Sequence, residues 1–228
     1  MNDDIQHDDV RRSEPSRVPG SFSRRGFLIG TGVAGAAVFV AACSSDDDSS
    51  TSTSDSTSTT KAAAGANDDL ATAAFAASLE VLAVGTYKAA LDAATANKLG
   101  AVPPAGATYV QTALDQHQQQ LDAWNDVVTG AGQPAVTEPP PDLKATVDTE
   151  FAKVTDFGGA AKLALMLEQI AAATYLKAIS TLQGDDAIQL AGSINIIDMQ
   201  HQSILYYVLG QYPVPDTFAK TDMAASPS

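Results

Sequence analysis

Six polar side chains in this 228-residue chain stand where apolar ones belong. Glu80 has Ala76, Ala77, Ala83 and Val84 one turn to either side, and Tyr87 two turns on. Glu168 has Ala164, Leu165, Ala171, Ala172 and Tyr175 around it in the same way. Spacings of three and four residues share one helix face. Both carboxylates therefore lie on apolar stripes that should face a core. His117 shares its face with Val110, Ala113, Leu114, Leu121 and Trp124; His201 shares its face with Ile194, Ile197, Ile204, Leu205 and Val208. Asp198 stands three residues before His201, and Gln120 three after His117. A carboxylate buried without a partner costs several kcal/mol or takes up a proton. Two in equivalent positions call for a shared compensating group, either a metal ion or a hydrogen-bonded polar cluster. Imidazole with carboxylate suits iron, manganese or zinc, with iron favoured where oxygen chemistry is intended.

A single histidine on an apolar face is ordinarily a satisfied core group. Several polar groups converging on one layer are not explained that way. Tyr87 and Tyr175 admit two readings: hydrogen-bonding a ligand from behind, or packing in the core with a polar tip. Trp124 reads as core.

Helices must position these groups. The periodicity predicts one from Asp68 to about Leu99-Gly100 and a second from Ala105 to Gly130, stopped by Gly130-Ala131-Gly132-Gln133-Pro134. After the loop Glu138-Pro139-Pro140-Pro141, Asp142 is expected to cap a short helix running to Val154. Further helices are expected over Gly159–Leu182 and Asp186–Leu209, the last ended by Gly210 and Pro213. No segment alternates as a strand would. Four long helices with short turns within pairs and a longer middle connection predict an all-α, up-down four-helix bundle. The two halves also repeat. Leu79-Glu80 leads to Thr86-Tyr87-Lys88, and Leu167-Glu168 leads to Thr174-Tyr175, with Lys177 close behind. A duplicated helical hairpin accounts for this.

Glu on the first helix, His on the second, Glu on the third and Asp-x-x-His on the fourth follow the arrangement by which bundles hold paired irons. On these residues the chain from about Asp68 to Phe218 resembles the ferritin-like superfamily, in particular exported ferritin-like domain proteins with twin-arginine leaders. The resemblance implies that Glu80 and Glu168 are the single-glutamate ligands. It implies that Asp198 and His201 form one carboxylate-x-x-His motif, with Asp replacing Glu. The second helix departs from the pattern. Leu114, not a carboxylate, stands three residues before His117. Two registers remain open: His117-x-x-Gln120 in place of carboxylate-x-x-His, or Gln116-His117-Gln118 aligned with Gln200-His201-Gln202 and Leu114 marking a lost ligand. In both, one bridging carboxylate is missing. A single metal, a weakened pair, or a relic held by hydrogen bonds are the alternatives.

The N-terminal 42 residues read as a signal peptide. Residues 1–22 are polar and charged, Arg24-Arg25 precede Gly26-Phe27-Leu28, and Gly26 to Ala42 is an uncharged apolar run. That run is shorter than the roughly 20 apolar residues a spanning helix needs. The arginine pair resembles a twin-arginine export signal. Val40-Ala41-Ala42-Cys43 resembles a lipobox, and Cys43 is the sole cysteine of the chain. It meets Ser44-Ser45-Asp46-Asp47-Asp48, where no core residues follow, so lipidation explains it better than burial does. With Cys43 so used, no disulfide is available. The Ser/Thr/Asp-rich stretch after it reads as a flexible tether.

From Cys43 onward there are eight lysines, no arginine and 22 acidic residues, a net charge of −14. Such a surface repels phosphate backbones, which excludes nucleic acid as a partner. It gives no attraction to anionic lipid, leaving the lipid on Cys43 as the membrane contact. The expected organisation is a leader over 1–42, a lipidated cysteine and tether over 43–66, a helical bundle over 67–218 and a tail over 219–228, held at the outer face of the cytoplasmic membrane. A tethered domain suits a monomer or small oligomer rather than a storage cage. The resemblance implies an iron-binding protein, di-iron or mononuclear, with ferroxidase-like or peroxide-handling activity. The alternative is a degenerate, metal-free envelope module with a structural or protein-binding role. Fold alone does not choose between them.

Overall fold

The computed structural model describes residues 56–227, with side chains from Asn67 onward. Arg24, Arg25 and Cys43, and with them the leader and the lipobox, lie outside the described residues. Five helices follow one another: α1 (Ser56–Thr95), α2 (Pro104–Gly130), α3 (Pro141–Phe151), α4 (Phe157–Ile179) and α5 (Asp185–Val208). Among the described residues there is no strand. α1 pairs with α2 and α4 with α5, and the two hairpins pack together as a four-helix bundle. α3 lies in the middle connection and packs on α4.

Local chemistry sets the helix ends, and it shifts several of the expected boundaries. α1 begins at Ser56, so the last part of the segment expected to be a flexible tether is helical. Lys61-Ala62-Ala63-Ala64 within it are strong helix formers, and they extend a helix already nucleated by its packed part. α1 stops at Thr95 rather than at Leu99. Asn97 takes the left-handed conformation (φ 56°), and the Lys98 N–H returns to the Ala93 carbonyl. Asp142 does not cap α3. Pro140 holds that position and Pro141 opens the helix, leaving Asp142 in the first turn, where its charge complements the helix dipole. The cap that the sequence reading missed belongs to α4. The Asp156 carboxylate accepts the Gly159 N–H at 2.7 Å, so α4 starts at Phe157 rather than Gly159.

Asp69 performs a similar task at a distance. It is buried, and its carboxylate accepts the N–H groups of Gln183 (3.0 Å) and Gly184 (2.7 Å). Those groups belong to the turn that opens α5, so α1 fixes the α4–α5 hairpin. At the other end, a Cβ on Gly106 would lie 2.6 Å from the Phe157 ring. Any larger residue there would have to displace that ring. The tail returns to α4, where the Ala225 N–H donates to Thr174 Oγ1 at 2.8 Å. The groove beneath it is lined by α4 and α5 on one side and by residues 213–223 on the other.

Two apolar clusters lie along the bundle, beside a smaller one of Leu82, Val147 and Leu167. One joins Ala73, Ala77, Trp124, Val128, Tyr175, Leu190 and Ile194. The other joins Ala161, Leu165 and Leu205, with Tyr109 against them. Each buried leucine contributes about 1.5–3 kcal/mol. Residues 67–95 of α1 are apolar and long enough to cross a membrane by length and composition. Here that apolarity fills the core, where Ala73, Ala77, Leu79 and Leu82 are buried. Between the two clusters lies a polar layer.

Candidate metal centre

The polar layer is built from all four long helices. α1 supplies Glu80 and Tyr87, α2 supplies His117, α4 supplies Glu168 and Tyr175, and α5 supplies Asp198 and His201. Glu80, His117, Glu168 and Asp198 are each at most 2 % exposed. His117 lies between the glutamates, with Nδ1 2.8 Å from Glu80 Oε2 and Nε2 3.1 Å from Glu168 Oε1. Carboxylates only accept, so without a metal both ring nitrogens must donate and the ring is an imidazolium. Burial alone would lower the His117 pKa. The charges and hydrogen bonds of Glu168 and Glu80 outweigh it and raise the pKa well above its ordinary value.

Glu168 is the most heavily engaged acceptor. Its Oε1 also takes the Tyr87 hydroxyl at 2.5 Å, and its Oε2 lies 3.2 Å from His201 Nδ1. Burial pushes its carboxyl up, but His117 and His201 prevail and bring it down to about 2. Glu80 Oε1 accepts the Tyr175 hydroxyl, which in turn accepts the Trp124 indole N–H at 2.9 Å. Each tyrosine thus serves the glutamate of the other half of the repeat. They hold the buried carboxylates and also pack in the core, so both readings of these residues describe the same side chains.

Asp198 is different. It is fully buried, and neither carboxylate oxygen has a hydrogen-bond partner. Desolvation, reinforced by the Glu168 and Glu80 charges, raises its pKa well above the ordinary range. Yet one ligand atom from each of His117, Glu168, Asp198 and His201 can be chosen so that all lie within 4.8 Å of one another. A cation amid these four would give the orphaned carboxylate its counter-charge. The donor set of two imidazoles and two carboxylates fits a divalent transition metal.

Glu80 stands outside this group of four and touches it through His117. Gln120 is buried, and its Oε1, like the Asp198 oxygens, has no partner. α2 brings His117 to the cluster, as both registers require. Leu114 offers no donor. Two further residues reach the site. Gln116 Oε1 lies 2.7 Å from His201 Nε2, and the Tyr109 hydroxyl pairs with that of Tyr87 at 2.7 Å. Tyr109 precedes His117 by two turns and so shares its face, a signal visible in the sequence. Gln116 shows none, because it lies one residue off that face and reaches His201 only through its length.

A family model described as "Ferritin-like domain" matches residues 68–211. The chain belongs to the ferritin-like domain family. No curated protein and no solved structure shows significant similarity to it. The match spans all four long helices and ends just past α5. Within this ferritin-like domain, the buried His/Glu/Asp cluster can hold a metal ion.

Proposed function

We propose that this ferritin-like domain binds one transition-metal ion, iron by preference, through His117, Glu168, Asp198 and His201. The observation that carries this reading is Asp198, whose two buried oxygens have no partner although one of them lies within 4.8 Å of a donor atom on each of His117, Glu168 and His201. A protein gains nothing in stability from such a group, and retaining it is explained by a bound cation. Glu80 then acts behind the ligands. It accepts the Nδ1 proton of His117, fixes the tautomer and presents Nε2 to the ion. Tyr87 holds Glu168 by one oxygen and orients the other. An iron held there would supply one-electron redox chemistry. The chain's contribution is a dry pocket that aims the ligands, and Asp198 would release its proton as the cation binds.

Titration of the metal-free full chain with Fe(II), Mn(II) or Zn(II) tests this. Ligand binding to the folded state alone adds about 2.7 kcal/mol at a hundredfold excess over Kd. The thermal midpoint of the wild type should rise by several degrees with metal, and that of Asp198→Asn should not. Absence of a rise with all three metals favours the second reading, in which His117 and the two glutamates form a closed hydrogen-bonded relic.

The same proposal places the domain outside the cytoplasmic membrane. The Arg24-Arg25 pair and Cys43 support export and lipidation. Twelve residues, all Ser, Thr or Asp, separate Cys43 from the start of α1. Export by a route for folded proteins would let the metal be loaded inside the cell.

A further inference from the structure

A groove of about 360 Å³ lies between α4, α5 and the returning tail. It is open to solvent. Ala172 and Ala173 are buried in its floor, and Met199, Phe218 and Met223 stand exposed around them. Two amides are set among these apolar groups. Asn195 Nδ2 donates to the Ala172 carbonyl at 2.7 Å, and Gln202 Nε2 to the Glu168 carbonyl at 3.0 Å. A carbonyl only accepts, so both amide nitrogens face α4 and both oxygens are free ends. Asn195 is only 7 % exposed, yet among the described residues its Oδ1 has no partner. That oxygen is not sealed in the core as those of Asp198 are, so the groove it lines is its route to solvent. Gln202 Oε1 is likewise unpartnered among the described residues. The donors on the walls are largely taken: Ser203 bonds the Met199 carbonyl at 3.0 Å, and Lys220 pairs with Asp216 at 2.7 Å. Asp222 adds a second carboxylate. The groove therefore presents free acceptors and excess negative charge around an apolar floor.

We propose that the groove binds a linear diammonium ion, with one charged end on Asn195 Oδ1, the other on Gln202 Oε1, and the methylenes between them on the apolar floor. Charge selects a cation, since an anion would meet two carboxylates and two amide oxygens. Spacing selects two charges rather than one. The carbonyls that hold the two amides stand four residues apart on α4, about 6 Å along its axis. A chain of about four or five methylenes covers that distance. The volume falls within the range of small-ligand pockets, about 300–1,000 Å³. The chain's net charge of −14 draws any cation to its surface, so length distinguishes this site where charge alone does not.

The test follows the metal-free full chain by NMR at about pH 5.5, where both ends of each diamine are charged, and at about 0.15 M salt, which screens charges beyond about 8 Å. 1,4-Diaminobutane should shift the Asn195 and Gln202 side-chain amides and the Ala172 and Ala173 methyls saturably. Its affinity should exceed by about tenfold that of 1,2-diaminoethane, which is shorter, and that of butylamine, which is singly charged, because its second contact is intramolecular. Asn195→Leu and Gln202→Leu should each bring it down to the level of butylamine. Should Asn195→Leu fail to fold, Gln202→Leu still decides. Equal affinity for the three amines overturns the proposal, since attraction to an acidic surface then suffices. Unchanged binding in Gln202→Leu overturns it too, as does the lack of any saturable shift at the groove. The metal reading stands apart from these outcomes, because none of its four ligands lines the groove.

Discussion

The Tyr175 hydroxyl on α4 donates to the Glu80 carboxylate on α1, in the opposite half of the repeat. Tyr87 returns the arrangement by donating to Glu168. Each tyrosine lies seven residues after its own glutamate and holds the other one. The duplicated sequence thus becomes a crossed clamp, and the two hairpins cannot separate without exposing both buried carboxylates to loss of their donors. Hydrogen bonds to charged groups contribute about 1.5–3 kcal/mol each.

Tyr87→Phe and Tyr175→Phe should each lower stability by about 1.5–3 kcal/mol in urea unfolding, since both keep the ring's packing and remove only the hydroxyl. Each change also breaks a second bond: the Trp124 indole N–H loses its acceptor in Tyr175→Phe, and the Tyr109 hydroxyl loses its partner in Tyr87→Phe. A change below about 0.5 kcal/mol for both would show that the clamp adds nothing to the fold.

Asp69→Ala should destabilise the protein by about 1–3 kcal/mol, as the N–H groups of Gln183 and Gly184 lose their acceptor. Amide hydrogen exchange is the readout that localises it. Protection should fall first at the α4–α5 turn, more than 100 residues away in sequence.

The metal-free protein should lose stability on both sides of a maximum below neutrality. Glu168 has its pKa lowered to about 2 from an ordinary 4.5, so its contribution is present above 4.5 and is lost as pH falls toward 2. His117 has its pKa raised above 6.5, so its contribution is full below 6.5 and is lost as pH climbs through the raised value. Asp198 retains a proton that the unfolded chain releases near 3.8, which adds to the alkaline decline. Each proton so retained costs about 1.4 kcal/mol per pH unit. As pH rises from about 3.8, through the range in which Asp198 holds its proton, thermal midpoints should therefore fall less steeply in Asp198→Asn than in the wild type. Equal slopes would mean that Asp198 is ionised without metal.

Cys43→Ala should release the protein from the membrane fraction, and mass spectrometry of the wild type should find a diacylglycerol on Cys43. An unmodified thiol in the membrane-bound protein would exclude the lipid anchor.

Much of the fold is legible in the sequence because one apolar stripe recurs at helical spacing through four segments. The buried polar residues stand out against those stripes, and Glu80, His117, Glu168, Asp198 and His201 meet in one layer as their periodicity requires. Helix ends were less legible. Asp142 and Asp156 are both acidic residues near proline or glycine, and only the backbone path decides which one caps. Asp69 was visible in principle, lying three turns before Glu80 on the same face. Its partners were not, because the turn it holds is distant in sequence. The crossed pairing of the tyrosines was hidden for the same reason: a repeat shows that two motifs are alike, but their partners depend on how the hairpins pack.

The central claim is a single four-ligand metal site, and metal stoichiometry tests it most directly. Full-length protein reconstituted with Fe(II), Mn(II) or Zn(II), then freed of loose metal, should carry about one ion per chain by elemental analysis. The Glu168→Gln/Asp198→Asn double variant should carry less than about a tenth of that. Equally negligible metal in wild type and variant would contradict the account, and so would two ions per chain in the wild type.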